Sequence, residues 1–335
     1  MGNESQRSNH RIVKLLIGLA VLALMFAASM SFGAADVSVH DVWRSLFTSD
    51  TGDNVTKLRE IRLPREVAGM LVGAALAVAG AIMQGMTRNP LADPGLLGLT
   101  AGANASLAIT VTLLPTVGYF GITVACFIGA AAGTLMVFGI GAIRKGGLSP
   151  LRLVLAGAAV SAFLYAVADG IGLLYKTSKN STMWTTGGLV GTTWGQVQAI
   201  LPIVAIGIAV AFLFSRQLTI LSLSEENAVG LGLRTTYVKA VLGILIILLA
   251  GASVALVGNM AFVGLMVPHI VRAMFGADYR YVLPMSAVWG TSFMLLADTL
   301  GRTINAPYET PIVAIIAIMG LPFFLFVVRK GVRSQ

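Results

Sequence analysis

Charge is scarce in this chain. Asp, Glu, Lys and Arg make up 11% of its 335 residues, while 56% are hydrophobic, and soluble domains carry about a quarter charged residues. An ordinary water-facing domain is excluded, and a polytopic membrane protein is implied. Cysteine is nearly absent. The single Cys126 lies in an apolar run, so it builds neither a disulfide framework nor a thiolate metal site and reads as a small core residue. Histidine is limited to His10, His40 and His269, without a His-Glu-x-x-His pair, so intramembrane metalloprotease and haem-ligating readings lack their ligands. No Gly-x-x-x-x-Gly-Lys-Ser/Thr loop occurs and no glycine precedes a lysine. The chain therefore lacks the usual phosphate cradle, and any ATP is hydrolysed by a partner.

Apolar runs of about 18–23 residues recur from end to end, and a spanning helix needs roughly 20. The short alternation of barrel strands is missing, so helices are the spanning form. Reading the runs against Gly, Pro and charge predicts ten spans: 12–32, 64–85, 94–114, 118–141, 152–174, 195–214, 236–257, 260–276, 281–301 and 309–328. Together they form one transmembrane domain over 1–335. Arg7, Arg11 and Lys14 before Leu15–Met30, with Gly33-Ala34-Ala35 after it, also fit a cleaved signal peptide. The run is long for a signal core, and a retained first span is the preferred reading.

The net charge of +9 does not point to nucleic acid, because the basic residues are scattered between apolar spans. They read as topology signals. With both termini inside, fifteen of the 23 Lys and Arg fall on the cytoplasmic side and eight outside, as the positive-inside rule favours. The outside set is Arg44, Lys57, Arg59, Arg62, Arg65, Lys176, Lys179 and Arg302, and Lys57 to Arg65 form a local violation of that rule. Such a cluster points either to recognition outside the membrane or to anchoring on lipid headgroups.

An internal echo accompanies the span count. Gly73-Ala74, Ala77, Gly80 and Pro90 recur 178 positions later as Gly251-Ala252, Ala255, Gly258 and Pro268. In this topology the two copies start on opposite sides, which fits the inverted repeats of transporters. Thirty-eight glycines, many in strings such as Gly129–Gly133, predict close helix packing.

Few residues are left to carry chemistry. His269 follows Pro268 and reads as a packing residue. Asp169 and Asp298 read as the only acids inside apolar runs; Asp298 precedes Arg302 by four positions and fits an i,i+4 pair, while Asp169 is a candidate for a substrate pathway. The segment 216–234 is the longest polar break on the cytoplasmic side. Within it Glu225-Glu226-Asn227-Ala228, followed by Gly230 and Gly232, predicts a short glycine-ended helix outside the bilayer.

The motifs IRLPR (61–65), VGAALAVAGAIMQGMTRNPLADPGLLG (72–98), LVLAG (153–157), FVGLMVPHIVR (262–272), LLADTLGR (295–302) and ETPI (309–312) resemble the FecCD-type permeases of type II ABC importers for iron(III)-siderophores, haem and cobalamin. The likeness runs from about residue 58 to the end. It implies an all-α bundle of about ten transmembrane helices built as an inverted repeat, in the cell membrane. It also implies a second permease subunit, identical or paralogous, two cytoplasmic ATPase subunits using ATP and Mg, and an extracellular binding protein that delivers a ferric siderophore. This chain itself binds no cofactor and no metal. By motif position, Arg62, Arg65 and Arg302 meet acidic residues of the binding protein, a chemistry that guanidinium forks suit. The cytoplasmic gate falls at Asn89 and Leu91 and at Ser149 and Pro150, the second pair matching loosely. The ATPase-coupling helix covers Ser224, Glu225, Glu226, Asn227, Ala228, Gly230 and Gly232. A haem or cobalamin importer of the same family is the alternative reading. An ion-coupled carrier, which would need no coupling helix, and an intramembrane enzyme, which would need more paired acids and histidines, are the rivals from other classes.

Overall fold

The computed structural model describes residues 2–33, 38–48, 50–142, 150–176 and 188–332. Every regular element among them is helical. In chain order they are α1 (Gly2–Ser31), α2 (Val39–Phe47), α3 (Asp53–Lys57), α4 (Leu63–Thr87), α5 (Leu99–Leu113), α6 (Tyr119–Ala142), α7 (Pro150–Tyr175), α8 (Trp194–Leu213), α9 (Ser215–Leu223), α10 (Glu225–Gly230), α11 (Thr235–Val257), α12 (Val263–Phe275), α13 (Tyr279–Thr303) and α14 (Ile312–Val332). Each of the ten expected spans falls on a helix. Six helical stretches are long and apolar enough to cross a membrane; α5, α12 and the apolar part of α14 are shorter. Helix α13 is long but carries Arg280, Asp298 and Arg302.

Two features escape a hydropathy reading. Short helices α2 and α3 occupy the stretch between the first two spans, and α2 sets exposed Trp43 against exposed Phe47. A wide π turn at Leu58–Arg62 then joins α3 to α4, so that Asp53–Thr87 form one helical run. Both arginines of the IRLPR motif, Arg62 and Arg65, therefore project from helix rather than loop.

Helix α4 is the centre of the bundle. It is buried along most of its length and packs against α13, α11, α12 and α8, whereas α1 and α7 keep most of their apolar surface outward. The contacts depend on missing side chains: a Cβ on Gly73 would collide with the carbonyl of Gly290 on α13, and one on Gly80 with that of Gly264 on α12. Between apolar helices such backbone approach supplies the packing that burial from water cannot. Proline lies inside α8 (Pro202), α12 (Pro268), α13 (Pro284) and α14 (Pro322), a use that membrane bundles tolerate because neighbours re-satisfy the freed carbonyls.

Of the echoed residues, Gly73-Ala74 and Ala77 lie inside α4 as Gly251-Ala252 and Ala255 lie inside α11, while the last two positions differ. Gly80 lies inside α4 but Gly258 caps α11 with φ 73°, and Pro90 lies in a turn while Pro268 is inside α12. Cys126 is a free, fully buried core residue, and the His269 ring stands edge-on to Phe323.

Candidate functional site

Functional residues gather at the two ends of the bundle. At one end α4 begins and α13 finishes, and their charged residues interlock. Arg65 donates from Nε and one terminal nitrogen to both oxygens of Asp298 at 2.8–3.1 Å, and from the other nitrogen to both oxygens of Glu309 at 2.8 and 3.0 Å. Arg302 donates to Glu66 Oε1 at 2.6 Å and to the Ser29 carbonyl at 3.1 Å, and its Nε lies 2.9 Å from Asp298 Oδ2. Arg62 donates to the Met30 carbonyl at 2.6 Å. The end of α1 is thus stitched into the cluster. Three arginines face three acids: Arg62, Arg65 and Arg302 against Glu66, Asp298 and Glu309.

The outward basic patch expected from the sequence is internally answered here. Lys57 pairs with Asp53 at 2.6 Å, Arg44 pairs with Asp50, and Arg59 donates to the carbonyls of Arg44, Ser45, Thr48 and Asp50. Arg302 differs most from expectation: at 3% exposure its guanidinium faces inward, to acids on two helices. The pairing of Asp298 with Arg302 matches the spacing argument. The reading of Asp169 and Asp298 as the only acids within spans is corrected by Glu66, which is buried on α4. Its signal was present four positions after Arg62 and next to Arg65.

At the opposite end, α4 stops at Arg88, whose φ of 53° turns the chain left-handed. Asn89 Oδ1 then accepts from the Leu91 N–H at 3.0 Å, closing a tight turn around Pro90. Asn89 and Leu91 share a cavity of about 80 Å³ with Leu153 and Val154 of α7. Of the second expected half, Pro150 begins α7 three residues before Leu153, and Ser149 lies outside the described residues.

The expected coupling helix is α10, and a second helix, α9, precedes it at the start of the polar segment 216–234. Ser224 caps α10 by accepting from the Asn227 N–H at 3.0 Å, and the Gly232 and Leu233 N–H groups close its far end with Gly232 at φ 78°. Only Ala228 is buried, holding the helix to the bundle, while Glu226, Asn227, Val229 and Leu231 are exposed. Glu225 is pinned by Lys239 of α11 at 2.6 Å. A cavity of about 460 Å³ at this end, reached by Ser222 of α9, is lined by Arg88, His269, Arg272 and Tyr279 with no carboxylate. Asp169 stands apart from both ends, exposed on the outward face of α7 among Phe163, Leu173 and Leu174.

No group of three His, Cys, Asp or Glu able to hold a metal occurs among the described residues. What the geometry offers is transport machinery: a charged end, a small-residue bundle and a protruding helix. The profile of the FecCD transport family matches residues 21–330. The chain belongs to the FecCD transport family. The FecCD chain is 40% identical over 331 residues to the iron(3+)-hydroxamate import system permease protein FhuB of Bacillus subtilis, covering 98% of this chain and 86% of that one. It is 41% identical over 326 residues to the Fe(3+)-citrate import system permease protein YfmD of the same organism, covering 97% of each. It is 37% identical to the hemin transport system permease protein HmuU of Yersinia pestis over 94% of each. A solved inward-facing conformation of a metal-chelate type ABC transporter superposes with a TM-score of 0.82 at 25% identity, over 95% of this chain and 99% of that one. As a FecCD permease subunit the chain transports rather than catalyses, and ATP hydrolysis belongs to a separate subunit.

Proposed function

We propose that this FecCD permease carries an iron(III)-siderophore chelate into the cell by alternating access, as one of two permease subunits driven by two cytoplasmic ATPases. The observation that carries this reading is full-length similarity to iron(III)-hydroxamate and iron(III)-citrate permeases. The protruding α10, with its buried Ala228 and exposed apolar residues, supports the ATPase partnership. The distribution of Lys and Arg supports a cell-membrane orientation with α10 and both termini in the cytoplasm. The α4–α13 end then faces outward, where Arg62 and Arg65 meet a binding protein's carboxylates while buried Arg302 holds the acids around them. Asn89 and Leu91 with the start of α7 form the inner gate. Asp169 would be costly against lipid; its face of α7 borders the pathway between the two permease subunits.

The test is uptake of radiolabelled iron into vesicles holding the complete importer, in competition with a panel of hydroxamate, catecholate and citrate chelates. Saturable, vanadate-sensitive uptake of a chelate supports the reading. Gradient-driven, vanadate-insensitive uptake would overturn it. The hemin relative keeps haem as the second substrate reading, and uptake of haem without uptake of any ferric chelate would establish it.

A further inference from the structure

The Arg65 guanidinium divides its donors between two carboxylates of unlike burial. Asp298 takes the Nε edge; its side chain is 2% exposed and is also held by Arg302. Glu309 takes the remaining nitrogen and is 33% exposed, on the segment that joins α13 to α14. Both oxygens of Glu309 rest on that one nitrogen. The inner carboxylate is thus fixed by burial and two arginines, while the outer one is held by one guanidinium at the rim.

Charge balance gives this asymmetry a meaning. With three acids against three arginines the cluster is neutral, and the outer donor of Arg65 is already taken. A docking surface for acidic side chains needs an open cationic donor. We propose that Glu309 is a built-in placeholder for the binding protein's carboxylate: docking exchanges one carboxylate for another on the outer edge of Arg65, and the displaced Glu309 frees the segment that leads into α14. Exchange of like for like keeps the guanidinium satisfied throughout, which leaving a buried charge unpaired would not. Asp298 does not take part, since it is buried and shared by Arg65 and Arg302. The link to α14 is short, because Glu309 lies three residues before Ile312, which is buried at the first turn of that helix. This inference rests on the docking reading proposed above.

The experiment measures the dissociation constant between the reconstituted importer and the soluble binding protein from the same gene cluster. Glu309→Gln removes the competing charge and is expected to tighten binding about three- to fivefold, the scale of one rim ion pair. Arg65→Gln is expected to weaken binding at least tenfold, and Arg65→Gln with Glu309→Gln to match Arg65→Gln alone. Arg65→Lys and Glu309→Ala serve where the first pair unfolds in detergent. Unchanged or weaker binding by Glu309→Gln, beside a clear loss in Arg65→Gln, overturns the placeholder and leaves the docking reading standing. Unchanged binding by Arg65→Gln overturns the docking reading itself.

Discussion

Arg302 on α13 lies 2.6 Å from Glu66 on α4, with 4% and 0% of the two side chains exposed. The pair joins the central helix to its main neighbour at a depth where neither charge is solvated. Removing one partner of a buried ion pair strands the other, at a cost of about 3–5 kcal/mol. Glu66→Ala and Arg302→Ala should each lower the thermal midpoint in detergent sharply, and the double variant should lose much less than the sum. Additive losses would show that the two residues act independently.

The Gly73–Gly290 approach makes a second prediction. A side chain at Gly73 would meet the Gly290 carbonyl and the Cβ of Met294, and overpacking costs about 1–3 kcal/mol. Gly73→Val should destabilise the purified protein, whereas Gly230→Ala, at an open position in α10, should leave the midpoint within experimental scatter. Equal effects would remove the backbone-contact argument.

Helix α10 should behave in the opposite way, with function lost and stability kept. Val229 and Leu231 are 57% and 67% exposed, so Val229→Asp with Leu231→Asp disturbs no core. The expected outcome is loss of ATPase co-purification with an unchanged unfolding midpoint. Glu225→Lys should impair coupled hydrolysis, and adding Lys239→Glu should restore it. Retained ATPase binding in the aspartate pair would refute the placement of the motor.

Asp278 predicts a pH effect. It caps α13 by accepting from the Arg280 N–H at 3.0 Å, and its bonds to the Arg280 side chain hold its carboxyl below the ordinary range. A depressed carboxyl stabilises fully above its unfolded pKa, and that contribution disappears as pH falls through the folded value. Asp278→Ala should cost about 1 kcal/mol near neutrality, as lost caps do, and less in acid. A loss independent of pH down to strongly acidic conditions would contradict this.

Much of the fold was legible because membrane helices announce themselves through hydropathy and punctuation. Pro64 and Gly258 bracket helices as their chemistry requires, and Ser224 with Gly232 marked both ends of α10. The site was harder to read. Arg62, Arg65 and Arg302 were visible as cations, but their partners come from positions up to 273 residues away, and no spacing rule connects Arg65 with Glu309. Hydropathy also hid α9, whose Ser215, Leu218 and Leu221 are buried although the segment is polar on average. The echo in Gly and Ala holds inside α4 and α11 and diverges at its end, where Gly80 packs against a carbonyl and Gly258 turns a chain.

The contact between α4 and α13 has a mechanical consequence. The two helices are joined by Arg65 with Asp298 at one end, by Gly73 with Gly290 midway and by Gly85 against Tyr279 at the other. Locked at three heights, they form a strut about 37 Å long, from 25 residues at 1.5 Å each. The pair thus spans from Tyr279 at one end of the bundle to Arg65 at the other, so that whatever shifts one of the two helices must shift or break contacts of both.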